Sequence, residues 1–174
     1  MRRRFGVHRS AAVCVLLAAT PALAEPGGMM GRGGMMGRGA MMGAGGMSAA
    51  RHHQAMMGGA PTPYATVRNP APITFATLAR GASVYGQNCA ACHGSSGHGE
   101  GEAGKGLSPP PANLAWVSQM PMSRWDAYMY WTIAEGGQAF GTAMPSFKDT
   151  LPKSDIWAVI GYVQRGLKPA KTNP

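Results

Sequence analysis

Residues 89–93 read Cys-Ala-Ala-Cys-His. Two thiols three positions apart, followed at once by an imidazole, restrict both the chemistry and the fold that can hold them. A thioredoxin-type Cys-x-x-Cys needs an α/β pattern, and none surrounds this one. A zinc ribbon needs a second ligand pair, which is also missing. Cys-x-x-Cys-His is instead the signature of covalently attached haem c. The thiols of Cys89 and Cys92 add to the porphyrin vinyl groups as thioethers. A short turn after a helix brings both sulfurs to one edge of the ring, and His93 turns its Nε2 to the iron from the same side.

The context agrees with an exported protein. Arg2, Arg3, Arg4 and Arg9 precede an apolar run from Ala11 to Ala24, which ends in the small-x-small triplet Ala22-Leu23-Ala24. We expect a secretory signal peptide over residues 1–24, cleaved after Ala24, and a periplasmic destination. The run is too short to span a bilayer and holds Pro21, so no membrane span is expected in the mature chain. Cleavage removes four of the 16 basic residues, leaving 12 against 7 acidic ones. It also removes Cys14, so Cys89 and Cys92 are the cysteines that remain.

Composition divides the rest. Residues 25–70 are rich in Gly, Met and Pro, with Met pairs at 29/30, 35/36 and 41/42. No helical or strand period is visible, and the expectation is a disordered tail. Two readings of it stay open: low-complexity drift, or Cu(I) binding through thioethers and the imidazoles of His52 and His53. Its arginines are scattered without interleaved aromatics, which argues against nucleic acid.

Residues 71–170 carry the globular pattern. Phe75, Leu78, Ala82 and Tyr85 recur at helical spacing on the way into Cys89. A second helix is expected after Ser123, with Asp126 in its capping box and Gly136 as its stop; a third follows Ser154, with Ile156, Val159, Ile160 and Val163 in one stripe. The fold class is therefore all-α, three to four helices joined by long loops. Such loops leave too small a core unless a cofactor fills it. A second iron ligand should be a soft neutral donor in a later loop. Met144 in "GTAMPSF" fits, because Pro145 keeps it on extended chain. Met120, Met122 and Met129 are weaker candidates, lying just before or within an expected helix. Trp116, Trp125, Trp131 and Trp157 are expected in the core or at the haem pocket, and His98 at the surface.

The pieces "RGASVYGQNCAACHG", "GSSGHGEG", "LSPPPANL", "GTAMPSF" and "DIWAVIGYVQ", in this order, resemble a class I c-type cytochrome of the bacterial monohaem kind. The resemblance covers the globular part and none of the tail. It implies a cytochrome c-like fold around one covalent haem, with the first and last helices crossing near Gly81, Tyr85 and Tyr162. It also implies that a proline carbonyl accepts the Nδ1–H of the haem histidine; Pro109, Pro110 and Pro111 are the three candidates.

With His93 and Met144 on the iron, the reading is a periplasmic one-electron carrier rather than an enzyme, working between redox protein partners. The alternatives are a haem enzyme or gas sensor with a labile sixth site, a copper-handling protein using the tail, and an electron-entry subunit of a larger dehydrogenase or reductase. Residues 71–174 hold 8 basic and 6 acidic side chains, so charge adds little about those partners.

Overall fold

The computed structural model describes residues 49–168. Among these the fold is all-α, with six α-helices, three short 3-10 turns and no strand. In chain order the helices are α1 (Ala49–Gly58), α2 (Phe75–Asn88), α3 (Ala90–His93), α4 (Leu114–Val117), α5 (Asp126–Glu135) and α6 (Lys153–Gln164). Two of them, α3 and α4, are single turns, and α1 was not expected, so the count exceeds the anticipated three to four.

The scaffold is the crossing of α2 and α6. Thr74 starts α2 in a capping box with Thr77, each side chain bonding the other's backbone N–H. Gly81 then faces α6 at its backbone, and any Cβ there would collide with the Ala158 carbonyl and come within 2.9 Å of the Tyr162 Cβ. Tyr85 and Tyr162 meet one turn further on, with ring centroids 5.6 Å apart. Ile156 and Ile160, both fully buried, turn the other side of α6 toward α5. Arg80 closes the start of α6 by donating twice to Asp155, at 2.8 and 2.6 Å.

Several sequence expectations are corrected. Ser123 does not cap α5; it is buried and donates to the carbonyls of Ser118 and Met120, and Trp125 takes the N-cap position without a side-chain bond. Pro152, not Ser154, precedes α6, and Ser154 lies inside it. Gly136 does stop α5, at φ 65°.

The larger correction concerns the tail. The leader and the Met pairs at 29/30, 35/36 and 41/42 fall outside the described residues. Residues 49–70, however, are folded onto the domain. Arg51 and Ala55 of α1 are each 2% exposed, and Ala60 is also buried. Tyr64 packs on Tyr130 and donates to Glu135, and the Asn69 N–H donates to Asp126 at 2.9 Å. High Gly content concealed a short helix, whose stability comes from packing rather than propensity.

The crossing yields a direct test. Gly81→Ala should destabilise the holoprotein by about 3 kcal/mol, because the obstacle is backbone and cannot rotate away. Denaturant titration followed by far-UV circular dichroism measures this; an unchanged midpoint would contradict the close approach.

Candidate functional site

The C-terminus of α2 runs directly into the Cys-Ala-Ala-Cys-His turn. Cys89 is the last cap of α2 and the first of α3, and its carbonyl accepts from the His93 N–H at 2.9 Å. Tyr85 donates its hydroxyl to the Gly94 carbonyl at 2.7 Å, tying the end of α3 back to α2. The Gly-rich loop that follows wraps beneath this turn. Gly99 and Gly101 donate to the carbonyls of His93 and Cys92, at 2.8 and 3.2 Å. Gly101 lies so close that a Cβ would sit 2.6 Å from the Cys92 carbonyl carbon. Glycine is needed here for proximity, not for its dihedral freedom, since its φ is −61°.

The imidazole of His93 is held by one bond. Its Nδ1 donates to the Ala112 carbonyl at 2.9 Å. The acceptor is thus the residue just after the triproline, not Pro109, Pro110 or Pro111, and the backbone bond leaves Nε2 for a ligand. Burial lowers the His93 pKa, with the Ala112 bond opposing it, so the neutral ring is favoured. Cys89 and Cys92 form no disulfide. Burial first, then the neighbouring Cys92, pushes the Cys89 thiol up to about 11. An exchange nucleophile needs the opposite shift, so the Cys89 environment does not favour that role.

Cys89, Cys92 and His93 line one cavity, and so does Met144. The Met144 loop is fastened to the end of α5. Gly137 donates to the Met144 carbonyl at 2.8 Å, Ser146 Oγ donates to Ala134 at 2.7 Å, and the Phe147 N–H donates to Ala134 at 3.1 Å. Gly136 and Gly137 allow this, since side chains there would strike Pro145 and Thr142. Met129 also lines the cavity from α5, where it is buried in the core; Met120 and Met122 do not line it. The walls are otherwise largely apolar, with Leu114, Val117, Ile133, Val159 and Val163 among them.

None of the four tryptophans lines the cavity. Trp131 and Trp157 are core, Trp125 packs against the core, and Trp116 is exposed. His98 is at the surface, as expected, 2.8 Å from Ser96 Oγ. His52 contacts Met122 Sδ at 3.1 Å, and no group of three or more His, Cys, Asp or Glu side chains gathers among the described residues. The copper reading of the tail thus gains no support.

Among the polar cavity groups that sequence reasoning missed are Arg51, Tyr128 and Thr132. The last two stand four residues apart on α5, a helical spacing that was legible; Arg51 sits in a segment with no periodic signal. Thr132 Oγ1 is buried without a hydrogen bond of normal geometry, beside the Tyr128 phenol.

A family model described as cytochrome c oxidase, cbb3-type, subunit III, matches residues 76–163. The chain belongs to this family of c-type cytochromes. No curated protein matched the sequence. The domain is accordingly one for haem-based electron transfer, and haem c is its cofactor. The cavity fits that group: paired thiols and an imidazole at one place, a thioether on a separate loop, and apolar walls for a macrocycle. Among the described residues no helix is long and apolar enough to cross a membrane. The matched range starts after α1, so Arg51 belongs to a segment outside it.

Gly101→Ala should disturb the Cys-Ala-Ala-Cys-His turn itself. We expect the fraction of protein carrying haem to fall and the remainder to lose about 1–3 kcal/mol. Pyridine haemochrome absorbance per mole of polypeptide measures the first; full haem content would show that the loop can move away.

Proposed function

We propose that this protein is a periplasmic one-electron carrier with a single haem c, bound by thioethers through Cys89 and Cys92 and ligated axially by His93 and Met144. The observation that carries the reading is that all four side chains line one largely apolar cavity although Met144 lies 51 residues beyond His93. Residues 1–24, with their basic start and apolar run, support export.

Haem in such a site supplies a one-electron Fe(III)/Fe(II) couple. The side chains do the rest. His93, fixed by the Ala112 carbonyl, presents a neutral nitrogen of set orientation. Met144 offers a soft sulfur, which favours Fe(II) and raises the potential. Two side-chain ligands also keep exogenous molecules off the metal, which suits a carrier better than a sensor or an oxygen-activating enzyme.

Electron entry into a larger complex is the second reading, favoured by the matched family, whose description is of an oxidase subunit. Co-purification from native periplasm and membranes separates the two: a free monomer supports the carrier, a stable heteromer the subunit.

Two experiments test the site. Acidified organic extraction should leave all haem on the polypeptide, and free haem in the organic phase would disprove the thioethers. Met144→Ala should abolish the weak near-infrared band of a sulfur–iron(III) bond, admit carbon monoxide to the reduced protein and lower the potential. A packing role alone would cost about 2–5 kcal/mol of stability and leave the spin state unchanged. A wild-type protein that is already high-spin would give the sixth site to the sensor or enzyme reading.

A further inference from the structure

Among the described residues that line the cavity, Arg51 is the one Asp, Glu, Lys or Arg. It does not come from the matched domain but from α1, ahead of it. The guanidinium carbon lies 4.4 Å from the ring centroids of both Trp131 and Phe140. Nη1 donates to the Trp131 carbonyl at 3.4 Å and Nη2 to the Gly136 carbonyl, at the C-terminal end of α5. Part of its role is therefore to cap α5, where the helix dipole favours a cation. Capping does not require burial, however. An exposed lysine or arginine could serve the same carbonyls without the cost of desolvating a charge. Here the charge is 2% exposed and borders the cavity, with Tyr128 and the buried Thr132 hydroxyl also at the wall.

Haem c is amphiphilic: an apolar ring carrying two carboxylates. A largely apolar cavity with one guanidinium at its wall, the phenols of Tyr85 and Tyr128, the hydroxyls of Thr132 and Thr142 and the amide of Asn88 has the complementary pattern. A fixed positive charge in a low-dielectric site also opposes a further positive charge on the iron, and so favours Fe(II) over Fe(III).

We infer that the segment ahead of the cytochrome domain completes the haem pocket, with Arg51 as a positioning residue that pairs with a haem carboxylate and raises the reduction potential. This rests on the proposed haem attachment. It goes beyond it by making α1 and the strap after it, residues 49–69, an electrostatic part of the redox centre.

The test uses the full-length holoprotein. Arg51→Met should shift the one-electron reduction equilibrium about tenfold toward Fe(III), a fall of ~59 mV by spectroelectrochemistry. Arg51→Lys keeps the charge and should retain most of the wild-type potential. Arg51→Met loses the α5 cap contacts and Arg51→Lys replaces two donor nitrogens on separate carbonyls with one, so both should melt at lower temperature and melting alone does not discriminate. An unchanged potential in Arg51→Met, with a normal low-spin spectrum, would reduce Arg51 to a helix cap. An equal fall in Arg51→Lys would also overturn the inference, because charge would not be the cause. Should Arg51→Met fail to accumulate, wild-type protein labelled with nitrogen-15 arginine gives the answer. The Nε–H signal of Arg51, assigned by its loss in Arg51→Lys, should shift between the diamagnetic reduced and paramagnetic oxidised forms. A signal indifferent to oxidation would place the guanidinium away from the iron and refute the idea. If acid extraction frees the haem from wild type, the attachment reading has failed instead, which is a separate and distinguishable outcome.

Discussion

The backbone contact between Gly81 and Ala158 is the constraint on which the rest of the domain depends. With no side chain between them, α2 and α6 approach closely enough for Tyr85 and Tyr162 to pack in the next turn. The consequence for chemistry is positional. Cys89 follows α2 without an intervening loop, so the crossing also fixes where the thiols and His93 emerge. Val159 and Val163, on the same α6, form part of the cavity wall, so one helix pair sets both the anchor and part of the lining. A lateral shift of α6 would move both at once.

Glycines do the finer work at two places. Gly101 lies against the Cys-Ala-Ala-Cys-His turn, and the Gly136–Gly137 pair lets the Met144 loop fold onto the end of α5. In both, the neighbouring atoms are backbone or short side chains with little freedom to retreat. The long loops, which would be a liability in an ordinary small domain, are thereby held to the helices by backbone bonds. They enclose a cavity instead of a continuous core, consistent with a fold completed by its cofactor.

Much of this was readable because local signals and chemistry coincided. The 3.6-residue periodicity before Cys89 and the stripe in the last helix gave α2 and α6, and the resemblance pointed to Gly81, Tyr85 and Tyr162 at their crossing. The five-residue motif gave the cofactor class. What failed was of two physical kinds. Cap residues were misassigned because Ser123 and Ser154 carry the right chemistry in the wrong register, and tertiary burial of Ser123 decided its bonds. The acceptor for His93 moved from the triproline to Ala112, since the position of a carbonyl in three-dimensional space is not encoded by a run of identical residues. Residues 49–70 were misread for a different reason: Gly and Met content measures intrinsic propensity, whereas α1 is stabilised by contacts with α5 that lie some 80 residues away in sequence.

Those contacts give the segment a definite geometry. Arg51 bonds to carbonyls at the C-terminal end of α5, and Tyr64 donates to Glu135, which also receives Lys148 at 3.0 Å. At the other end, Asp126 accepts from the Asn69 N–H and from Gln164 at 3.2 Å. The chain from 51 to 69 thus spans α5 from end to end, about 15 Å for ten residues. Both attachments also match the helix dipole, a carboxylate at the first turn and a cation at the last. Because α5 supplies Tyr128, Met129, Thr132 and Ile133 to the cavity, and its C-terminus carries the Met144 loop, the strap constrains a whole wall of the pocket. A segment of low intrinsic order can hold such a wall, since each of its few anchors is a directional bond to one particular helix end.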